Sequence, residues 1–540
     1  MLFNSYTFLF AFLPVVLIGF YLIARRSRLG AILWLTFASL VFYGWWSWHF
    51  VALLLASVGV NYLTGRTILL ERQSPRLQNW LLVGGIGFNV AAIVYFKYLF
   101  PFLSFLNSAG AIHHDFGTVV LPLGISFFTF TQIGFLIECR QGFVEHEGLP
   151  EYAFFVTFFP HLISGPILQH REIVAQVRDS RTFRFSFENI AAGVTLFIIG
   201  LSKKCLLADS FAPIADHAFA NPGALGAVAA WQAVLSYSFQ LYFDFSGYSD
   251  MALGLAKMFN IDFPLNFYSP YKAVSIIDYW QRWNMSLTRF ITRYIYNPSA
   301  LWISRRRSAR GWSISRNGQR TAAGFLSMIV VPTFLTWTIA GVWHGAGFQF
   351  VVFGLLHASY VTINNGWRLY CSHSWKPVAR HIPPWLHRGS LVLATYFAVI
   401  VGEIFFRASS AGIALQMLSA IAGTHGMMLG IDPSDTTNAL LHAVNSRILY
   451  LIRQGDTLAL VVTVIALFLP LIPYYVLVWG LPNSIEIVKQ FSPRSVPEGR
   501  ASIFQARWRP NFAWALALGI LLAASVANFS NVQEFIYFQF

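Results

Sequence analysis

Residues 335–358 read LTWTIAGVWHGAGFQFVVFGLLHA. The stretch is long enough to cross a bilayer, which takes about 20 apolar residues. It carries two histidines, His344 and His357, and no other ionisable side chain. An imidazole in hydrocarbon is costly unless it is paired or used. As one continuous helix, the stretch would set the two rings ~20 Å apart in depth, at 1.5 Å per residue. Each histidine is therefore expected to serve a site of its own. His344 precedes the flexible run Gly345-Ala346-Gly347, where a ligand could come close. Two readings stand on spacing alone: a general base at membrane depth, or a structural histidine.

The rest of the chain has the same character. Of 540 residues, 56% are hydrophobic and only 11% charged, against about 25% charged in soluble domains. Mean hydropathy is +0.56. This excludes a soluble globule and predicts an all-α, polytopic membrane protein embedded in the lipid bilayer. The formal net charge is +15. In a chain of this kind, Lys and Arg gather in cytoplasmic loops, so nucleic acid is not expected as a partner. Cys139, Cys205 and Cys371 lie far apart and suggest neither a disulfide framework nor a zinc site.

The first apolar run, 6–24, is followed by Arg25, Arg26 and Arg28, the order of an uncleaved first span with an outside N-terminus. Further spans are expected at 31–48, 50–70, 80–106, 119–137, 190–206, 227–245, 322–342, 348–363, 391–406, 458–479 and 512–526. That makes about 11–13 transmembrane helices. Lys97 lies near the end of one span and is expected to snorkel. His113 and His114 fall in an outer loop. Residues 151–167 are apolar but broken by Pro160, His161, Gly165 and Pro166, as in a re-entrant or kinked segment. Residues 304–319 hold Arg305, Arg306, Arg307, Arg310 and Arg316 and are expected in the cytoplasm as a topology anchor. The whole chain, 1–540, is read as one membrane domain. Its motif-bearing core is expected at about 119–366, and its C-terminal helices at 388–540.

No HExxH, P-loop or GxSxG motif is present. What remains is polar residues in apolar surroundings. Asp244 and Asp250 flank FSGYS and need hydrogen bonds or a basic partner. A scaffold pair with Lys or Arg is the preferred reading, with a place on the substrate path as the alternative. SIIDYWQRWNMSLTRFI, 275–291, reads as a helix. Asp278 and Arg282 sit at i and i+4, an ion-pair spacing. Asn284 then falls round the helix, on the side of Trp280. Its amide could cross-link helices or donate to a developing oxyanion.

Six pieces together resemble one family: MLFNSYTFLFAFLP at the start, FFPHLISGPI (158–167), QLYFDFSGYSDMALGLA (240–256), YWQRWNMSLTRFITRYIY (279–296), GVWHGAGFQFVVFGLLHA (341–358) and the closing FIYFQF. They resemble the membrane-bound O-acyltransferases. The bacterial branch, which includes the membrane subunit of alginate O-acetylation and the membrane protein of teichoic-acid D-alanylation, is the most similar. The family's essential histidine falls on His344. The bacterial branch usually has a second histidine in RWHxS, and Asn284 stands there, similar to eukaryotic lipid-acylating members. NPSALWISRRR replaces the usual LGGN.

The resemblance implies a horseshoe of helices with a thin, tunnelled centre. His344 would take a hydroxyl proton as the oxygen attacks an acyl thioester. Asn284 would steady the oxyanion or orient the imidazole. His357, Asp244, Asp250, Arg282 and Trp343 are second-rank candidates near the site or along the substrate path. No bound cofactor or metal is implied. The donor is an acyl-CoA, with acetyl-CoA expected, or another acyl thioester. The acceptor is an exported polysaccharide or envelope glycan, and a periplasmic SGNH-type acyltransferase is implied as a partner where the acyl group is relayed. The location implied is the cell inner membrane. Two alternatives remain open: O-acylation of a lipid or small metabolite, and a transporter whose intramembrane His and Asp relay protons.

Overall fold

The computed structural model describes residues 1–540 except 72, 111–119, 146–147, 373, 375–376, 378–379, 425–449, 451–453, 455–460, 462–464, 466–467, 490–505, 532–534 and 537–540. The described residues form helices and connecting loops with no strand. Among the described residues, five helices are long and apolar enough to cross a membrane: Trp48–Leu70, Pro75–Ser108, Phe187–Ala220, Ala322–His344 and Pro384–Arg407. Phe8–Ala24, Arg28–Gly44, Ala411–Ile421, Leu469–Gly480 and Phe512–Ala527 are apolar but shorter. The expected spans at 31–48, 50–70, 80–106, 190–206, 322–342, 391–406 and 512–526 each fall on one of these helices. Part of the span expected at 458–479, and the His113-His114 pair, lie outside the described residues.

The Ala227–Met258 helix runs for 32 residues through the middle of the molecule, and most of its side chains are buried. It packs on the Phe187–Ser202 helix at two glycine pairs. A Cβ on Gly254 would come within 2.5 Å of the Gly193 carbonyl oxygen, and one on Gly247 within 2.7 Å of that of Gly200. Without side chains at these points the two backbones touch, as at small-residue crossings in membranes. That contact brings the lysines after Ser202 against the central helix. Lys204 Nζ lies 2.6 Å from Asp244 Oδ1 and 2.8 Å from Asp209 Oδ1. Lys203 Nζ lies 2.6 Å from Asp250 Oδ2. The two intramembrane carboxylates are thus the scaffold pairs that their surroundings called for. Asp244 Oδ2 also accepts the backbone N–H of Ile536 at 3.0 Å, tying the C-terminal end to the centre.

Two local expectations change. Residues 275–291 are not one helix. Ile276–Trp280 stops, and Met285–Ile291 starts afresh after Asn284. Residues 335–358 are two helices, Val331–His344 and Phe348–Gly366, broken at the glycines, in keeping with the separate spans expected at 322–342 and 348–363. Lys97 does not snorkel outward. It is buried, and its ammonium donates to the Trp343 carbonyl at 2.6 Å. The break expected in 151–167 is present, as Leu149–Thr157 followed by a single short turn, Phe159–Leu162.

Candidate active site

The histidine hairpin is built by close backbone approach. A Cβ at Gly341 would lie 2.4 Å from the Phe350 carbonyl oxygen, and one at Gly354 2.5 Å from that of Trp337. His344 and His357 each follow one of these glycines by three residues, so each sits about one turn beyond the crossing. The ring of Phe353 lies between them, 5.7 Å from His344 and 4.6 Å from His357, centroid to centroid. The fold-back replaces two separate sites with one. His344, His357 and Asn284 all line a single internal cavity, together with Trp280, Phe353 and Glu403. Its volume for the centre of a water molecule is about 20 Å³, room for about one water.

His344 ends its helix, and two neighbours hold that end. Lys97 Nζ donates to the Trp343 carbonyl, and the Tyr98 hydroxyl donates to the Val342 carbonyl. Carbonyls of a last helical turn have no partner within the helix, and a cation is favoured there. His357 is oriented by Trp280, whose indole N–H donates to Nδ1 at 3.2 Å. Nδ1 is therefore the acceptor nitrogen of that ring.

Asn284 reaches the cavity through its backbone. Its φ is 42° and ψ 53°, the left-handed region, where Asn, Asp and His are enriched among non-glycine residues. The kink is braced from the extended segment before it. Met285 N–H donates to the Asn266 carbonyl at 3.0 Å, and Tyr268 N–H to the Arg282 carbonyl at 2.9 Å. Ser286 Oγ donates to Asn266 Oδ1 at 2.9 Å and accepts Ile167 N–H at 2.9 Å. Asn284 thus has a conformational duty beside any chemical one, and the two are separable. Asn284→Gly keeps the left-handed turn while deleting the amide. If the amide steadies an oxyanion, Gly should keep the melting temperature and lower kcat by roughly 10²–10³ fold. Asn284→Ala should lose both, and Asn284→His should keep the fold. A Gly variant with near-normal kcat would leave the amide only its structural role.

The remaining candidates lie elsewhere. Asp244 and Asp250 are held by lysines and do not line the cavity. Arg282 Nε pairs with Asp278 Oδ1 at 2.7 Å, as the spacing predicted. The Trp343 ring stacks on Phe130 with centroids 5.1 Å apart and does not line the cavity. Glu403 was not singled out from sequence. It lies on the Pro384–Arg407 helix, beyond the core expected at 119–366. A lone carboxyl in the apolar run VGEIFF was the available signal.

A second cavity, of about 680 Å³, shares Trp280 with the first. Gln169, Arg171, Glu172, Arg289 and Arg293 line it. Arg289 makes a two-pronged pair with Glu172, at 2.9 and 3.2 Å. Arg293 donates to Gln169 Oε1 at 2.6 Å and lies 3.5 Å from the buried Glu138. Three arginines thus face two carboxylates, an excess of positive charge suited to a phosphate-bearing ligand.

Residues 126–313 match the model of MBOAT, the membrane-bound O-acyltransferase family. The match includes Asn284 and ends before His344. The chain is 34% identical over 555 residues to the "Probable alginate O-acetylase" of Azotobacter vinelandii, covering all of both chains.

The chain belongs to the membrane-bound O-acyltransferase family.

It is also 34% identical to the peptidoglycan O-acetyltransferase of Helicobacter pylori, over 83% of this chain and 85% of that one. Identity to the teichoic acid D-alanyltransferase of Bacillus subtilis is 26%, over 59% of this chain and 76% of that one. This membrane-bound O-acyltransferase is therefore a multi-pass membrane enzyme that transfers acyl groups to hydroxyls.

Proposed function

We propose that the protein moves an acetyl group from a cytoplasmic thioester, acetyl-CoA or a comparable donor, toward hydroxyls of an exported or envelope glycan in the inner membrane. The observation that carries this reading is the pair of cavities sharing Trp280. One is large and rich in arginine. The other is small and holds His344, His357 and Asn284. The larger cavity binds the phosphates of the donor and directs its thioester past Trp280. His344 removes the acceptor's proton as the hydroxyl oxygen attacks the carbonyl carbon. The C–O bond forms, the C–S bond breaks, and the proton passes to the leaving thiolate. Asn284 donates to the oxyanion. Holding both substrates at one buried point supplies much of the rate gain.

The charge pattern supports cytoplasmic entry of the donor. Asn297 lines the larger cavity and begins the Asn297–Ala309 helix, which carries Arg305, Arg306 and Arg307. Arginine clusters of this kind stay on the cytoplasmic side. Glycan acceptors are supported by the relatives, a probable alginate O-acetylase and a peptidoglycan O-acetyltransferase.

Thiol release by the purified protein, measured with acetyl-CoA and oligosaccharide acceptors, tests the reading. Wild-type transfer should need the donor and an acceptor hydroxyl, supplied directly or through an SGNH-type partner. Arg171→Gln and Arg293→Gln should raise the KM for acetyl-CoA about tenfold, the loss of one charge-assisted hydrogen bond, with kcat little changed. The same variants should match wild type with a short acetyl thioester that lacks phosphates. Equal losses on both donors would remove the larger cavity from donor binding.

A further inference from the structure

Glu403 is buried on the wall of the inner cavity, 4% exposed. Its Oε1 lies 3.1 Å from the Tyr271 hydroxyl oxygen. That hydroxyl also lies 2.6 Å from the Ser238 carbonyl oxygen. A phenol has one proton, and a carbonyl only accepts. The shorter contact takes the Tyr271 proton. The Ser238 side chain is engaged too, with Oγ 3.1 Å from the Leu235 carbonyl and 2.5 Å from the Tyr396 hydroxyl. Tyr396 donates to Ser238, and Ser238 donates to Leu235. These hydrogens run away from Glu403, so the 3.1 Å bond to Tyr271 is completed by a proton on the carboxyl group. Oε2 is then an acceptor. Among the described residues it has no hydrogen-bond partner.

A buried acceptor without a donor is costly, and the adjoining space fits one water. A buried water needs two to four polar partners. The cavity is lined by Glu403, Asn284 and both histidines. A water differs from an acceptor hydroxyl in having two protons. It can donate one to Glu403 and keep the other for His344.

We infer that the protein is also a thioester hydrolase, with Glu403 as the residue that holds the attacking water. The step balances without another reactant. The water oxygen bonds to the acyl carbon and the C–S bond breaks. One water proton passes by way of His344 to the thiolate. The other stays with the carboxylic acid product. This inference rests on the assignment of His344 as the base of acyl transfer. It adds that occupation of the cavity by acceptor or by water decides between transfer and hydrolysis.

The test is release of free CoA and acetate from acetyl-CoA by the purified protein without acceptor, beside transfer to an oligosaccharide acceptor. Wild type should hydrolyse the donor well above the His344→Ala protein. Glu403→Met should lower the ratio of hydrolysis to transfer about tenfold, the loss of one buried hydrogen bond. Glu403→Gln should keep the wild-type ratio, because its amide can donate to Tyr271 and leave its carbonyl facing the cavity. The ratio is internal to each preparation, so a loss of folded protein does not change it. Hydrolysis no faster than that of His344→Ala, or an unchanged ratio in Glu403→Met, overturns the inference. So does a Gln variant that behaves like Met. Transfer surviving in His344→Ala would instead overturn the assignment of the base.

Discussion

His344→Ala should abolish acyl transfer while the protein stays folded in the membrane. The ring is buried at the end of its helix, on the wall of the small cavity, and is packed by Phe353 and Phe406. General acid–base catalysis is worth roughly 10²–10⁴ fold, so the residual rate should fall by at least that range. His344→Gln keeps most of the volume and the hydrogen-bonding capacity but cannot carry the proton, and should be equally inactive. Turnover per folded molecule, with folding judged by melting temperature and monodispersity in detergent, gives the answer. Wild-type turnover in either variant would remove His344 from the chemistry. His357→Ala makes a useful contrast. His357 is tied to Trp280 by a hydrogen bond, so its loss should disturb the wall between the cavities rather than delete the base.

Lys204→Met should give the largest loss of stability in the chain. Lys204 is 1% exposed and bonds both Asp244 and Asp209. Its ammonium also lies 4.8 Å above the Phe535 ring. Methionine fills similar space but leaves two buried carboxylates without their cation. Breaking a buried pair from one side costs about 3–5 kcal/mol. Asp244→Asn in the same background removes one of the stranded charges and should recover part of the loss. Thermal unfolding of the single and double variants measures both effects. A melting temperature unchanged by Lys204→Met would mean that the cluster contributes nothing to holding the central helix.

Much of the molecule was legible along the chain. Long apolar runs and scarce charge establish a membrane protein, because a spanning segment must be apolar over its whole length and that sum is local. The broken segment near Pro160 was legible for the same reason: proline and glycine interrupt a helix wherever they stand. His344 and the aspartates of the central helix were legible as costly residues in hydrocarbon. Which lysine serves which aspartate was not. Lys203 and Lys204 are neighbours, yet they take Asp250 and Asp244 separately, because the Gly193–Gly254 and Gly200–Gly247 contacts set how the two helices cross.

The site itself shows the division. Read along the chain, His344, His357 and Asn284 already stand out as polar groups in apolar surroundings, and the chain already resembles the acyltransferases. Folding alone brings the three to one cavity, adds Glu403 from a later helix, and sets Trp280 on the walls of both that cavity and the arginine-lined one. Helical periodicity placed Asn284 on a continuous helix, and a continuous helix kept the two histidines apart in depth. The first inference failed at the left-handed residue 284, and one site per histidine failed because the glycine-flanked turn at 345–347 folds the two spans back on each other. Apolar content adds up residue by residue, whereas a cavity forms where distant helix faces meet. Those faces are brought together by close glycine contacts and buried ion pairs between segments up to hundreds of residues apart.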